Sequence, residues 1–316
     1  MKVSVVIVSF NTREKLRRCL SCVEPEHELI VVDNASADGS AEMVRTDFPQ
    51  ARLIANDQNV GFGAANNQGA AIAAHPIVLY LNSDCYAFPG AISLLATAFG
   101  DESVVAAGGM LLNEDESLQE SVAARLTLPM VFLEQSLLDK FASRCGFGYW
   151  RTREAIVRTE RARSVRPEDI GRVDMVDVTQ VMGACMMVRK GLESFDERFF
   201  LYCEDTDLCA RLSRHGRITY LPDAHFIHEL GSSSAGATRW LGVARYNRGK
   251  ELYFLIHHGR FSMAVCCFQS DGGFAEAADM AAVRSFFRSR RGQPGLFLRV
   301  LTAPVQGPPV PPRRAE

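Results

Sequence analysis

Short runs of consecutive apolar residues alternate with stretches whose apolar positions recur every three or four residues, and this alternation fills the first third of the chain. Residues 3–9 form a β-branched run of the kind that makes a central parallel strand. Phe10-Asn11-Thr12 is a turn, with Thr12 placed to cap a helix over 13–22. A second strand is predicted over 27–32 and ends in the polar cluster from Asp33 to Ser40. Asp38 or Ser40 can cap a helix over 41–48 that Pro49 stops. Residues 52–55 read as a third strand. A loop from Asn59 opens a helix reaching about Ala74, and 77–81 is a buried fourth strand. A helix over 89–99 and a strand over 104–108 follow. Repeated strand–helix units of this length imply an α/β fold, a parallel sheet with helices on both faces. Further on, 176–181, 184–188 and 217–221 read as strands. Asp205 or Thr206 starts a helix, and Arg239, Arg245 and Arg248 share a later one.

Composition narrows the class. The chain has 316 residues, 47% of them hydrophobic, and a net charge of −2. That suits one large domain or two modest ones with a sizeable core, and it offers no general attraction to nucleic acid. The apolar start is too short for a signal peptide or a membrane span, so a cytoplasmic location is expected. The nine cysteines sit on apolar patterns and read as reduced, buried thiols rather than disulfides or a zinc site. Residues 252–268 are apolar but interrupted by His257-His258-Gly259-Arg260, which argues against a membrane span. Residues 283–291 interleave phenylalanine with arginine. They suit either a packed terminal helix or peripheral contact with anionic lipid at the inner face of the membrane. The proline-rich stretch 304–312 is expected to be disordered.

Loops that follow parallel strands share one edge of the sheet, where open α/β sheets bind their ligands. Here they bring together Ser9 and Asn11, then Asp33 and Asn34, then Asn82, Ser83 and Asp84. Asp33 suits a base or ribose. Asp84 suits a divalent cation on a diphosphate, because Mg²⁺ takes one or two protein carboxylates plus phosphate oxygens. Asp84 also reads as a cap for the helix that Pro89-Gly90 begins. Neither a G-x-G-x-x-G fingerprint nor a Walker lysine is present. Gly61 and Gly63 let the backbone pass close to a ligand, or let helix and sheet pack tightly. The acidic run at 204–207 has an ordinary reading as complement to a helix dipole, and His225 and His228 as core or surface groups.

Four stretches in order carry a more specific likeness: Val5-Val-Ile-Val-Ser-Phe-Asn11, Val31-Val-Asp-Asn-Ala-Ser-Ala-Asp-Gly-Ser40, Asn59-Val-Gly-Phe-Gly-Ala-Ala-Asn-Asn-Gln-Gly69 and Leu79-Tyr-Leu-Asn-Ser-Asp84. They resemble successive motifs of the family 2 glycosyltransferases, and most of all the rhamnosyltransferase-like branch of polysaccharide assembly. The likeness covers roughly 3–110 and resumes at about 178–260. It implies a GT-A fold, a Rossmann-like, mostly parallel sheet flanked by helices, here with a helical C-terminal extension. It also implies a nucleoside-diphosphate sugar donor, a glycan or lipid-diphosphate acceptor, and inversion at the anomeric carbon. Carried onto this chain, the donor-binding residues are Ser9, Asn11, Asp33, Asn59, Asn66, Asn82, Ser83 and Asp84. The stretch from Gln180 to Lys190 resembles the acceptor-side strand, where Gly183 and Ala184 let substrate approach. Glu204-Asp205-Thr206-Asp207 matches an E-D-x-D motif in which the second acidic residue is the general base. Asp205 is therefore expected as base, with Glu204 beside it and Asp207 toward the acceptor. Asp84 and His228 are expected to hold a divalent metal, Mg²⁺ or Mn²⁺, with imidazole the better match for Mn²⁺. In this chain the family's acidic D-x-D is Asn82-Ser83-Asp84, and an amide is a weaker metal ligand than a carboxylate.

The reaction asks for such groups. An alcohol is a poor nucleophile until a carboxylate takes its proton. A departing nucleoside diphosphate needs its charge neutralised rather than a proton. The expected divisions are 1–110 for the donor half, 111–175 for an insert, 176–260 for the acceptor and catalytic half, and 261–316 for the extension. In the insert, Arg151, Arg153, Arg158, Arg161, Arg163 and Arg166 near Phe147, Tyr149 and Trp150 form a solvated face or a flap toward an anionic acceptor. Residues 231–236 read as a loop that closes over the donor. Two other functions fit the same outline. A sugar-phosphate nucleotidyltransferase would need a glycine-rich basic loop after the first strand, which Ser9-Phe-Asn-Thr-Arg-Glu14 does not provide. A non-catalytic nucleotide-sugar-binding scaffold would not need both Asp84 and Asp205.

Overall fold

The structure, a computed structural model, describes residues 1–129, 131, 175–229 and 239–273. The arginine-rich segment 151–166, the loop 231–236, the segment 283–291 and the proline-rich tail lie outside those residues.

The opening β-branched runs form β1 (Ser4–Ser9), β2 (Glu28–Asp33), β3 (Arg52–Ala55) and β4 (Ile77–Asn82). These pair in parallel in the order β3-β2-β1-β4. Four helices belong to this half: α1 (Arg13–Ser21), α2 (Ser40–Asp47), α3 (Phe62–Ile72) and α4 (Ala91–Ala96). Side chains alternate across each strand. Val5, Ile7, Leu29, Val31, Leu79 and Leu81 meet α1, α2 and α4 on one face. On the opposite face lies a second core built on Val6, Ile30, Val32, Val78 and Tyr80.

The sheet then takes strands from later in the chain. These are β5 (Cys85–Ala87), β6 (Val104–Leu112), β8 (Val176–Val178), β10 (Cys185–Arg189) and β11 (Arg217–His228). The short β7 (Val122–Ala123) and β9 (Gln180–Val181) pair separately. The nine-stranded order is β3-β2-β1-β4-β10-β6-β11-β5, with β8 also on β11. β10 runs antiparallel between β4 and β6, whereas β6 and β11 are parallel. Following these pairings, β1 to β4, β6 and β11 point one way and β5, β8 and β10 the other. The sheet is therefore mostly parallel, as expected, but its two sequence halves interleave within it.

α5 (Glu204–Leu212) packs Leu208 and Leu212 on the same face as α3. α6 (Arg239–Gly273) is interrupted at Gly259. Its Tyr253, Phe254 and Cys266 form a third cluster with Leu126, Phe199, Cys203 and Ala210. No disulfide forms among the described residues, and none of their helices is long and apolar enough to cross a membrane.

Two strands exceed their sequence expectation. β6 continues to Leu112 and β11 to His228. β11 passes through Pro222 because its register on β6 shifts between Leu221 and His225, an irregularity where a missing N–H breaks no ladder bond. The extension carries His228 to the end of β4 and the start of β5.

Candidate active site

Three groups of side chains gather at the carboxyl end of the parallel strands. The first surrounds Asp33, which is 3% exposed. Its Oδ2 accepts the Ser36 N–H at 3.0 Å, while Oδ1 is buried with no hydrogen-bond partner. A buried acceptor left open is costly unless a ligand donor fills it. Ala35 at φ 66° and Asn11 at φ 54° shape the adjoining turns, a backbone region uncommon for non-glycine residues and enriched at binding sites. Asn11 does not point freely into this space. Its N–H donates to Ser36 Oγ at 2.9 Å and its side-chain carbonyl accepts from Ala37 at 2.8 Å. Asn59 accepts from the Asn34 amide and from the Gly61 N–H, so it shapes the loop. Asn66 is 1% exposed and donates to Phe62 O at 3.1 Å inside α3. It is a buried helix residue here rather than one facing donor. Ser9, Thr12 and Ser83 form a line of hydroxyls, with contacts of 3.0 and 2.9 Å. Thr12, expected as a cap through its side chain, joins this line instead.

The second group lies where β4 and β11 end and β5 begins. His228 Nε2 stands 3.5 Å from Asp84 Oδ1 and 3.4 Å from Asn82 Nδ2. Glu229, the next residue, donates its N–H to Asp84 O at 3.0 Å. Asp84 therefore faces His228 and does not cap α4, whose N-cap is Gly90. Asn82 Oδ1 is buried without a partner. Carboxylate, imidazole and amide together fit a divalent cation that still takes phosphate oxygens. Among the described residues, no three His, Cys, Asp or Glu side chains converge on one point to complete a cage without phosphate.

The third group is the start of α5. The Gly183 N–H donates to Asp205 Oδ2 at 3.0 Å and the Thr206 N–H to Oδ1 at 2.8 Å. Gln180 holds the Thr206 hydroxyl at 2.9 Å. Burial raises the Asp205 carboxyl above its ordinary value, against these backbone donors. Glu204 is 6% exposed, and its Oε2 has no partner. Burial, and then the charge of Asp205, push its carboxyl up to about 8. Tyr202 and Cys203, at φ 74° and 67°, turn the chain into this helix.

Two hydrogen bonds join the second and third groups. The Asn82 N–H donates to Ala184 O at 3.0 Å, and the neighbouring Gly183 N–H holds Asp205. Asp84 and Asp205 thus flank a single turn. A Cβ at Gly183 would lie 3.2 Å from Asp205 Cβ, so this glycine is pressed against the carboxylate that it orients.

Asp207 is placed otherwise than expected. It is fully buried, with Oδ2 held by Arg211 at 2.6 and 2.9 Å and Oδ1 by His257 at 2.8 Å. It ties α6 to α5 and has no face toward an acceptor. The close approach expected of Gly61 is to the protein itself: a Cβ there would meet Phe200 O at 2.9 Å. Arg245 lies over the Phe200 ring at 5.3 Å, and Arg248 pairs with Glu251. Thr206, Gln180 and Gln119, which grips His228, are site residues that sequence reading missed. No spacing marks Gln119, because 109 residues separate it from its partner.

Comparison with known proteins bears on the family and the fold. The family model Glycosyl transferase family 2 matches residues 4–158. The chain is 26% identical over 308 residues to the N-acetylglucosaminyl-diphospho-decaprenol L-rhamnosyltransferase of Mycobacterium tuberculosis, covering 91% of this chain and 95% of that one. It is 29% identical over 163 residues to the succinoglycan biosynthesis protein ExoO of Rhizobium meliloti, covering 47% of this chain and 46% of that one. The mannosyltransferase PcManGT of Pyrobaculum calidifontis, solved with GDP-Man and Mn²⁺, shares the fold at a TM-score of 0.51 and 12% identity, over 95% of this chain and 83% of that one. With the sheet order, the polar strand ends and the matched span in agreement, the chain belongs to the family 2 glycosyltransferases and has their GT-A fold.

Proposed function

We propose that this glycosyltransferase moves rhamnose, with inversion, from a nucleoside-diphosphate donor to a lipid-linked diphosphate glycan, with Asp205 as general base. The observation that carries this reading is the Gly183–Ala184 turn, which binds Asp205 on one side and the Asn82-Ser83-Asp84 segment on the other. Asp33 takes an N–H of the base through its open Oδ1. Asp84 and His228, with the Asn82 amide, would hold a divalent cation, which would neutralise charge on the departing diphosphate. Asp205 accepts the acceptor hydroxyl's proton as that oxygen bonds the anomeric carbon. The bond from that carbon to the diphosphate breaks at the same time and its electron pair leaves with the diphosphate. Rhamnose and the lipid-linked acceptor are supported by what the Mycobacterium relative is named for. Such an acceptor would bring the chain to a membrane surface. The nucleotidyltransferase alternative is not favoured.

The test is nucleoside-diphosphate release from thymidine- and uridine-linked donors, with and without a polyprenyl-diphosphate N-acetylglucosamine acceptor and Mn²⁺. We expect release with a rhamnosyl donor that depends on acceptor. Acceptor-dependent release only from other sugars would overturn the donor assignment. No release from any donor would overturn the whole reading.

A further inference from the structure

We infer that Gln119 is a positioning residue that sets the tautomer of His228, holding the proton on Nδ1 and turning the Nε2 lone pair toward Asp84. This rests on the reading of Asp84 and His228 as the cation-binding pair.

Donor and acceptor directions around Gln119 fix the position of the proton. Gln119 Nε2 lies 3.0 Å from the backbone carbonyl of His228 and 2.9 Å from Asn113 Oδ1. A backbone carbonyl only accepts, so the amide nitrogen of Gln119 must face it. Its oxygen, Oε1, then faces His228 Nδ1 at 2.7 Å. An amide oxygen only accepts as well, so Nδ1 carries the proton.

Asn113 is oriented the same way from further out. Its Nδ2 donates to Ser117 Oγ at 2.9 Å, and the Ser117 hydroxyl donates to Asp115 Oδ1 at 2.5 Å. Asp115 is held below the ordinary carboxylate range by the Ser117 hydroxyl, so it is ionised and only accepts. In the side-chain series Asp115, Ser117, Asn113, Gln119, His228, each side-chain-to-side-chain hydrogen bond therefore donates toward Asp115. The backbone fixes the frame. Gln119 N–H donates to Leu111 O at 3.0 Å and Asn113 N–H to Ser117 O at 2.8 Å, while Leu112 and Leu118 form a bridge.

With Nδ1 protonated in the neutral ring, Nε2 is an acceptor that stands 3.4 Å from the Asn82 amide nitrogen, a donor, and 3.5 Å from an oxygen of Asp84. Two acceptors so placed repel each other until a cation lies between them. Without Gln119, the proton would move to Nε2 and bridge to Asp84, closing the position. Partners of this kind commonly fix the tautomer of metal-ligating histidines.

The experiment uses the full-length chain with ¹⁵N-labelled histidine. Long-range ¹H–¹⁵N correlation at mildly alkaline pH, without metal, reads the tautomer of His228, assigned with His228→Gln. Titration with Mn²⁺ alone then reads affinity by water proton relaxation and contact by broadening of the ring signals. We expect the Nδ1–H form in the wild type and in Gln119→Glu, which keeps an acceptor. In Gln119→Leu we expect the Nε2–H form and Mn²⁺ binding about 10–100-fold weaker. An Nε2–H or doubly protonated ring in the wild type overturns the inference and needs no variant to fold. So does a Gln119→Leu chain with wild-type tautomer and Mn²⁺ affinity. The expected tautomer with no Mn²⁺ effect on the wild-type ring would instead overturn the cation reading of the site.

Discussion

Glu204 and Asp205 are neighbours in sequence, yet their surroundings separate their chemistry. Asp205 receives two backbone N–H donors, whereas one oxygen of Glu204 is buried with no partner. Glu204 therefore keeps its proton up to about 8, leaving Asp205 as the carboxylate that ionises first. Asp205→Asn should lower turnover about 10²–10⁴-fold while donor binding is kept; near-normal turnover would remove Asp205 from its role. Because burial raises the Asp205 carboxyl, activity should fall as pH drops through a value above the ordinary carboxylate range. Glu204 makes a separate prediction about stability. Its folded pKa lies above its unfolded one, so its contribution is fully present below 4.5 and is lost as pH rises to about 8. Glu204→Gln should flatten the melting temperature across that window, and an unchanged pH profile would refute the buried-acid assignment. At this scale the placement of Asp84 just past a strand end and of Asp205 at a helix start was legible, because such positions expose polar groups. The engagement of Asp207 was only half legible. Arg211 four residues on is a readable helix pair, but His257 reaches it only after α6 has packed.

Elements were legible where periodicity was strong. β1, β2 and β4 are unbroken apolar runs, and each appears within a residue or two of its expected bounds. β5 was not seen, because Cys85-Tyr86-Ala87 is too short to carry a pattern and pairs only once β11 lies beside it. β11 was cut short because proline ordinarily ends a strand, and the register shift that admits Pro222 leaves no mark in sequence. The small residues of α3 have a packing reason. A Cβ at Gly69 would fall 2.4 Å from Val6 Cγ1, against the middle of β1. Gly69→Ala should therefore destabilise the fold by ~1–3 kcal/mol through overpacking, although alanine favours helix elsewhere. A denaturation midpoint equal to wild type would show that α3 does not lie so close. The pair inside α5 is similarly exacting: Arg211→Met, which strips the buried Asp207 carboxylate of its cation, should cost on the order of 3 kcal/mol, read as a lower denaturation midpoint.

For the whole molecule, the division into a donor half and an acceptor half describes the sequence better than the structure. β6 has no strand partner from the first half, since β10 and β11 flank it. A chain ending at 175 should therefore fail to give a cooperative melt by circular dichroism. In the full chain, amides of β4, β10 and β6 should exchange with solvent together, as one unit; a β10 that exchanges early and alone would contradict this. The interleaving could not be read from the sequence, because strand order depends on contacts between distant segments. It also has a consequence for biosynthesis. When β6 leaves the ribosome, neither of its neighbours has yet been made, so the nascent chain carries bare strand edges of the kind that recruit other chains. Closing the sheet waits for a late strand to slide between two early ones, a long-range step that is intrinsically slow. During translation the chain thus exposes edges that the finished sheet covers.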